Sequence, residues 1–385
     1  MPGVEATTAP VGAGAVLFAR AATLRFAPGR VTAVRALTLA GHGKTDRLVV
    51  AEMPTPRPGP DEVRVAVQAA ALNHLDLFVL GGLPGLTVSF PHIGGADGAG
   101  VVAEVGAGVT TWKSGDEVVI NPGLWCGGCE WCARGEESQC LTFRLLGEHV
   151  HGTFAEFVNV PARSLARRPP HLGWVEAAAF PLTYLTAWRM LVTRARLRPG
   201  EVVLIHGIGG GVAQAALAIA KRTGAQVIVT SSDDAKLGLA ARLGADLTIN
   251  YSTADVVKEV RRLTGMRGAD VVVETAGAAT WTTSLRCAAK GGRIVTCGAT
   301  AGPNPPEEIR LIFWNQLSIL GSTMGSRGDW LAMLRAVEAW GLRPAIDVVL
   351  PLERGGEAYE RLAQGKHAGK IVLTVGEAAS ARTEA

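Results

Sequence analysis

The chain has 385 residues, of which 48% are hydrophobic and 19% charged, and its formal net charge is +4. This length is sufficient for two domains, and the 48 glycines and 20 prolines indicate many tight turns in a compact enzyme-like protein. The small net charge gives no indication of a nucleic-acid partner. No run reaches the roughly 18 apolar residues of a membrane span, so we expect a small-molecule substrate and neither nucleic acid nor membrane as partner.

The N-terminal segment, residues 1–30, differs from the rest of the chain. It contains a single acid, Glu5, and lacks the basic start of a secretion signal. We interpret it as an N-terminal extension, either a plain tail or the product of a start codon assigned too early. A transit peptide is the alternative.

From Val31 onward, strand-like runs alternate with glycine and proline turns: VTAVRALTL, RLVVAEMP and DEVRVAVQAAAL. This pattern predicts a β-rich domain. The segment ALNHLDLFVLGG then places Asn73 and His74 in apolar surroundings, either as the wall of a pocket or as the capped start of a helix. In the next segment Asp97 lies in the turn GGADGAG, where an aspartate usually binds its own backbone.

Four cysteines lie within fifteen residues, with two, two and seven residues between them: Cys126, Cys129, Cys132 and Cys140. Four thiolates this close in sequence can complete a tetrahedron around Zn²⁺ and leave no position for substrate or water, so the spacing predicts a structural zinc. An iron–sulfur cluster suits the spacing less well. Cysteines used for a metal rather than for disulfides are typical of the reducing cytoplasm.

The following segment, EAAAFPLTYLTAWRMLVTRARLRPGE, predicts a helix leading to a second domain. That domain opens with VVLIHGIGGGVAQAALAIA, residues 202–220, which has the pattern of a strand, a tight turn and a helix. Glycines allow close approach of a pyrophosphate, and the new helix offers it free N–H groups and the positive end of its dipole. The predicted turn is a loose GxxGxxA, and its residues are Gly207, Gly209, Gly210, Gly211, Val212 and Ala213.

Four more strand-like runs, at 227–230, 247–250, 271–274 and 293–296, alternate with helical stretches, which is the pattern of a doubly wound parallel sheet. At the end of the second strand stand Ser231 and Ser232, with Lys236 four residues after Ser232. Hydroxyl and cationic groups at this position suit a 2′-phosphate, so we expect NADPH rather than NADH. Asp233 and Asp234 favour NADH instead, because an acid at this position can bind the ribose 2′-hydroxyl. They do not count against NADPH if they only cap the following helix.

The turns ETAGAATW and VTCGATAGP follow later strands and are candidates to bound the nicotinamide, through Ala276, Cys297 and Gly298. The run LSILGSTMG, residues 317–325, predicts a last strand that either ends the sheet or pairs with another subunit. The strands AIDVVLPL and KIVLTV near the C-terminus are expected to complete the first domain.

The cysteine lobe, GGADGAGVV, GIGGGVA and the strand alternation together resemble the medium-chain dehydrogenase/reductase family, from about Val31 to Val375. The resemblance implies an α/β fold in which a Rossmann domain is inserted into a GroES-like β-rich domain. We expect an N-terminal extension at 1–30, the catalytic domain at 31–182, the nucleotide domain at 183–326 and a return to the catalytic domain at 327–385. The resemblance also implies a homodimer joined through the edge strand at 317–325, Thr186 beside the nicotinamide and Tyr251 near the 2′-phosphate.

Two branches of this family differ in their catalytic metal. Alcohol dehydrogenases hold a second zinc through a cysteine, a His–Glu pair and a further cysteine or acid. In this chain Asn73 occupies the position of the first cysteine, and Ala96 and Asp97 occupy the positions of the His–Glu pair. Residues 177–190, where the further cysteine or acid would lie, contain no Cys, His, Asp or Glu. The chain is instead similar to zinc-free quinone and enoyl reductases, and to proteins labelled zinc-type alcohol dehydrogenase-like, which share NHLDL and CGATAG.

Without a metal, a conjugated acceptor is easier to reduce than an isolated ketone, because charge spreads over an enolate that hydrogen-bond donors can hold. The sequence therefore predicts NADPH-dependent reduction of an enone, enal, enoyl group or quinone. Asn73 is the expected donor to the carbonyl, with Tyr184 or His74 as an alternative donor or proton source and Asp97 as a further catalytic candidate. A zinc alcohol dehydrogenase with unusual ligands, and an NADPH-binding protein with little catalysis, are the alternative functions.

Overall fold

The fold was taken from a computed structural model that describes residues 33–376. The predicted N-terminal extension, residues 1–30, lies outside the described residues. Within the described part of the chain, no helix is long and apolar enough to cross a membrane.

The N-terminal half is built from short strands, as the alternating pattern predicts. Their bounds are β1 (Ala33–Leu39), β2 (Leu48–Pro54), β3 (Glu62–Ala71), β4 (His92–Ile93), β5 (Asp97–Val105), β6 (Glu117–Ile120), β7 (Gly123–Leu124), β8 (Arg144–Leu145), β9 (Phe157–Pro161) and β10 (Leu165–Arg167). Strands β1, β2 and β4 form a small antiparallel sheet, and β7 pairs with β8. Strand β3 lies at the centre of the larger sheet, where it pairs with both β5 and β9.

The second half contains a six-stranded, all-parallel sheet in the order β13-β12-β11-β14-β15-β16. Its strands are β11 (Val202–Ile205), β12 (Gln226–Ser231), β13 (Leu247–Asn250), β14 (Ala269–Glu274), β15 (Ala288–Thr296) and β16 (Ser318–Gly321). The order reverses between β11 and β14, so the carboxyl ends of these strands leave a crevice of the kind in which ligands of open α/β sheets bind. The predicted fold class is confirmed.

The C-terminal strands, β17 (Ile346–Pro351) and β18 (Lys370–Thr374), return to the first large sheet. Strand β18 lies between β17 and β3, with Val372 opposite Ala71. The last described strand therefore belongs to the β-rich domain, as expected from the sequence. The exact domain limits at 182/183 and 326/327 stay a prediction.

Eleven α-helices lie in the described residues. They are α1 (His74–Gly81), α2 (Glu130–Ala133), α3 (Trp174–Ala179), α4 (Pro181–Trp188), α5 (Gly211–Arg222), α6 (Asp234–Arg242), α7 (Val256–Leu263), α8 (Trp281–Cys287), α9 (Ile309–Asn315), α10 (Arg327–Trp340) and α11 (Gly355–Ala363). The single helix expected around residues 176–194 is wrong in detail: Phe180 separates α3 from α4, and α4 continues as a π-helical turn over Arg189–Arg194. Pro181 has no N–H for the helical ladder, so it starts a new helix instead of continuing α3.

One hydrophobic core joins the two domains. Phe180 and Trp330 stack with their planes 7° apart and their ring centroids 6.4 Å apart, and both belong to the cluster that contains Ala69 of β3 and Val203 of β11. Because the domains share buried apolar surface, their relative position is fixed at this side. The open side is a cleft.

Candidate active site

The cleft between the domains has a volume of about 860 Å³. One wall consists of α1 and the start of β18, and the other consists of the turns that follow β11, β12, β14 and β15. Sixteen of the residues singled out from the sequence line it together: Asn73, His74, Thr186, Gly207, Gly209, Gly210, Gly211, Val212, Ala213, Ser231, Ser232, Lys236, Tyr251, Ala276, Cys297 and Gly298. The arrangement suits a long ligand that runs along the carboxyl edge of the parallel sheet.

The glycine turn after β11 leads directly into α5. Gly207 has a left-handed backbone (φ +63°), and its carbonyl accepts a hydrogen bond from the N–H of Gly210 at 3.1 Å. A Cβ at Gly209 would lie 2.9 Å from Cδ of Lys236, and one at Gly211 would lie 3.0 Å from Cδ of Lys370. Two lysine side chains therefore cross this turn, and glycine is needed there to make room for them.

The end of β12 explains the two aspartates that the sequence left open. Asp233 caps α6, since its Oδ1 accepts from the N–H groups of Ala235 (2.8 Å) and Lys236 (3.4 Å). Asp234 accepts from the amide of Asn250 at 2.7 Å. Both acids have structural partners, which supports the reading of this corner as a pocket of hydroxyl and cationic groups.

The turn after β14 is held by a buried carboxylate. Glu274 is fully buried and accepts hydrogen bonds from the N–H groups of Ala276 (2.8 Å) and Gly277 (2.9 Å) and from the hydroxyls of Thr280 and Ser284. Beside it, burial raises the pKa of the Cys297 thiol to about 12, which keeps this thiol neutral. The turn at this end of the cleft is therefore held by hydrogen bonds to Glu274.

Two buried imidazole nitrogens in the cleft wall have no partner among residues 33–376, namely Nε2 of His206 and Nδ1 of His367. These residues are 3% and 6% exposed. An orphaned buried polar atom is costly, so a ligand that pairs with it is favoured. Together with the glycine turn and the free N–H groups at the start of α5, these atoms fit a dinucleotide bound along the cleft.

The catalytic end of the cleft contains a buried hydrogen-bonded group of three residues. The ammonium of Lys370 donates to Oδ1 of Asn73 (2.6 Å) and lies 3.0 Å from Oδ2 of Asp97. Asn73 in turn donates from Nδ2 to the same Asp97 oxygen at 2.9 Å, and the other oxygen of Asp97 accepts from the N–H of Leu182 at 2.7 Å. Two of the three ammonium N–H groups are used, and Lys370 and Asn73 both line the cleft.

These contacts change the roles expected of three residues. Asp97 is fully buried and does not line the cleft, so it holds its neighbours instead of touching a substrate. Asn73 already donates to Asp97 and, at 3.4 Å, to the carbonyl of Ala71, so its amide is not a free donor as predicted. Tyr184 is wrong as a catalytic candidate, because its hydroxyl donates to the carbonyl of Arg343 (3.2 Å), outside the cleft. Burial also raises its pKa.

Asp76 positions the start of α1. Its carboxylate accepts from the N–H groups of Asn73 (2.7 Å) and Gly95 (3.1 Å). Burial raises its pKa to about 7, against the opposing effect of those hydrogen bonds. His74 is also perturbed, since burial and the charge of Lys370 lower its pKa.

The four cysteines form a compact cluster. Their sulfur atoms all lie within 4.8 Å of one another, with Sγ separations of 3.5 Å from Cys140 to Cys126, 3.6 Å from Cys129 to Cys132 and 3.9 Å from Cys126 to Cys132. A tetrahedral zinc with Zn–S bonds of about 2.3 Å needs sulfur atoms about 3.8 Å apart. The observed separations are close to that distance, so the donor set fits Zn²⁺. In residues 33–376 it is the only group of three or more His, Cys, Asp or Glu side chains placed to hold a metal.

A buried arginine connects the cysteine lobe to the nucleotide domain. The guanidinium of Arg189 pairs with Glu136 of the lobe at 2.6 Å and with Asp329 of α10 at 2.7 Å. Next to it, Glu137 accepts from the N–H of Arg327 at 2.9 Å. The lobe is therefore attached to the start of α10, three residues after Met324, which lines the cleft.

The sequence analysis missed Lys370, His206 and His367. A signal for Lys370 was present, because it opens a strand whose other residues are all apolar or hydroxylated and whose five members are all buried. A lysine at such a position is rarely buried without a partner. The two histidines had no comparable signal.

Comparison with known proteins agrees with this architecture. Residues 59–170 match the sequence family described as alcohol dehydrogenase GroES-like domain, and residues 211–339 match the family described as zinc-binding dehydrogenase. A zinc-type alcohol dehydrogenase-like protein of Schizosaccharomyces pombe is 35% identical over 82% of this chain and 91% of its own length. An NAD-dependent alcohol dehydrogenase of Sulfurisphaera tokodaii is 33% identical over 88% and 99%.

Solved structures are similar over the same region. A structure titled NAD-dependent alcohol dehydrogenase has 48% identity and a TM-score of 0.86, and the match covers 89% of this chain and 100% of that one. A crotonyl-CoA carboxylase/reductase has 30% identity and a TM-score of 0.83 over 89% and 88%. Proteins named alcohol dehydrogenase and crotonyl-CoA carboxylase/reductase thus share this fold.

Proposed function

The chain belongs to the medium-chain dehydrogenase/reductase family and is an oxidoreductase, and from that membership we propose that it reduces an activated C=C bond or a quinone with NADPH and without a catalytic zinc. The observation that carries the proposal is the group formed by Asn73, Asp97 and Lys370. An ammonium lies between the two positions at which the resemblance to alcohol dehydrogenases implies metal ligands. A fixed positive charge therefore lies where those enzymes use a metal.

This arrangement suits an acceptor that becomes an enolate. The reduced dinucleotide, when bound, supplies a hydride. Negative charge on the acceptor oxygen is stabilised by the third N–H of Lys370, whose side chain is only 5% exposed, and a fixed donor of this kind is most effective where solvent is excluded. Asn73 and Asp97 hold the ammonium in place, so they act as positioning residues.

The rest of the acceptor site is apolar. Phe78, Leu145, Leu182 and Met324 line the cleft near this group. They fit the hydrocarbon frame of an enone, an enal or a quinone. The lowered pKa of His74 leaves it neutral at physiological pH, so we propose that water supplies the proton that completes the reduction.

The cofactor is a nicotinamide dinucleotide, and we propose NADPH. Ser231, Ser232, Lys236 and Tyr251 all line the same corner of the cleft, and Asp233 is occupied as a helix cap. Asp234 likewise uses one carboxylate oxygen on Asn250, so both acids have structural roles, and the groups that line this corner are hydroxyls and a cation. Since several relatives and one similar structure are named NAD-dependent, the ratio of the two dissociation constants is the direct test.

We also propose that the four cysteines hold one structural zinc and that the protein is a homodimer. Strand β16 is the edge of the parallel sheet, and Ile319 on it is 37% exposed. Nearby helix α9 exposes 61% of Phe313 and 74% of Trp314. A second copy joined at β16 would cover this apolar surface, and light scattering of purified protein tests it.

The proposed reaction is tested by following NADPH consumption with a panel of quinones, enals, enones and simple alcohols, with zinc counted on the same sample. Reduction of conjugated acceptors with one zinc per chain supports the proposal. The names of the relatives favour a zinc alcohol dehydrogenase as second candidate. Two zincs per chain together with alcohol oxidation would establish that candidate, and NADPH binding without turnover would indicate a binding protein.

A further inference from the structure

We propose that His367 is a ligand of the cofactor diphosphate and that it takes up a proton when the dinucleotide binds. The inference rests on the proposed function only in requiring a dinucleotide in the cleft. It does not depend on the acceptor or on which nicotinamide cofactor is used.

The segment 365–370 of the catalytic domain lies directly on the glycine turn. The N–H of Gly369 donates to the carbonyl of Gly209 at 3.2 Å, and the carbonyl of His367 lies 3.2 Å from the place of a Cβ at Gly209. From the nucleotide side, the ammonium of Lys236 donates to the carbonyl of Gly365 at 2.6 Å. The two domains therefore meet at the point where the turn and the start of α5 offer N–H groups to a phosphate.

The imidazole of His367 is held at this point with one nitrogen unused. The residue is 6% exposed and lines the cleft, and its Nδ1 has no hydrogen-bond partner in the described part of the chain. The backbone next to it is fixed, because Ala368 donates to Asp347 at 2.9 Å and Lys370 donates to the carbonyl of Ala345 at 2.9 Å. A buried and unpaired ring nitrogen on a fixed backbone favours the binding of an external partner.

The surroundings of the ring favour an anion. His74 on α1 lies with its ring centroid 5.9 Å away, while Lys236 on α6, Lys370 on β18 and the carboxylate of Asp347 on β17 also face it. Asp347 is paired with Arg361 and Lys370 with Asp97, so Lys236 is the cation near the ring that has no carboxylate partner among residues 33–376. A diphosphate at the turn would therefore meet the imidazole beside a net positive charge.

The protonation of His367 follows from these contacts. Burial lowers its pKa to about 4, and His74 and the lysines act in the same direction, so the free protein holds it neutral. A diphosphate beside the ring favours the charged form and raises that pKa. Affinity for the dinucleotide should then increase as the pH falls through the raised pKa and become constant below about 4.

The experiment measures binding of NADPH and of ADP-ribose to the whole protein by calorimetry, at about pH 6 and about pH 8 and in two buffers of different ionisation enthalpy. ADP-ribose contains the diphosphate but cannot react, so the result does not depend on any acceptor. The variants are H367A, which removes the ring, and H367N, which keeps a donor near Nδ1 but cannot titrate. K366Q is the matched control, since Lys366 is the exposed neighbour on the same segment.

For H367A we expect an affinity for both ligands about tenfold lower, the size of one hydrogen bond to a charged group. H367N should retain most of the affinity at about pH 8 but lose the proton uptake and the gain at about pH 6. K366Q should behave as the wild type. Unchanged affinity and unchanged proton uptake in H367A and H367N, with thermal melts like that of the wild type, would overturn the inference. Tight ADP-ribose binding in a protein that reduces no acceptor would overturn the proposed function alone.

Discussion

Replacement of Lys370 by methionine tests the catalytic group most directly. The change keeps an unbranched four-atom stem like that of lysine, which crosses Gly211, and removes the ammonium. Asp97 is then left without its cationic partner at a position with no solvent exposure. We therefore expect two separate effects, one on stability and one on the reaction.

The effect on stability follows from burial. Both partners are buried, with side-chain exposures of 5% for Lys370 and 0% for Asp97. Solvent therefore screens the unpaired charge of Asp97 only weakly. Removal of one member of such a pair costs about 3–5 kcal/mol of unfolding free energy. The loss of one preorganised donor to an oxyanion typically lowers kcat by about 10²–10³-fold. Urea denaturation and steady-state kinetics with a conjugated acceptor measure the two quantities.

The double variant K370M/D97N separates these effects. Asparagine keeps an oxygen for the N–H of Leu182, which Asp97 now accepts at 2.7 Å, and it removes the unpaired charge. We expect the double variant to recover part of the stability and none of the activity. Full activity in K370M, or recovery of activity in the double variant, would refute the electrostatic role of Lys370.

Three further predictions concern the cofactor, the pH response and the metal. S231D should shift the preference from NADPH toward NADH by about tenfold or more, because a carboxylate repels the 2′-phosphate; an unchanged ratio of dissociation constants would argue against this phosphate pocket. Burial raises the pKa of Asp76 to about 7, so the folded state binds a proton that the unfolded state has already lost, and stability should fall as the pH rises from about 4 to about 7. D76N should flatten that part of the curve of melting temperature against pH, and an unchanged slope would contradict the assignment. A chelator that removes zinc from the four cysteines should lower the melting temperature and expose the lobe around Glu136 to protease, whereas identical digestion of treated and untreated protein would speak against a structural metal.

Local patterns predicted the parts of the site that depend on short segments. The glycine turn at 207–213 and the cysteine cluster are each formed by residues close in sequence, so their spacing was sufficient to predict them. The direction of a side chain was harder to predict from the sequence. Tyr184 lies on α4 as expected, but it packs against Phe180 and its hydroxyl points toward Arg343.

The ion pair between Lys370 and Asp97 could not be predicted from local sequence patterns. Lys370 is 297 residues from Asn73 and 273 from Asp97. The pairing of β18 with β3 and of β3 with β5 brings them together. The break between α3 and α4 could have been predicted, since Pro181 is visible in the sequence and cannot continue a helical ladder.

The lysine side chains that cross the glycine turn have a practical consequence for redesign of the coenzyme site. A methyl group at position 211 would also lie 2.9 Å from Cγ2 of Thr183. An alanine scan of the turn would therefore displace Lys370 and Lys236 as well, and its losses would be misread as weaker nucleotide contacts. Libraries aimed at this turn should vary positions 209 and 236, and 211 and 370, as linked pairs, so that a larger residue on one side meets a shorter one on the other.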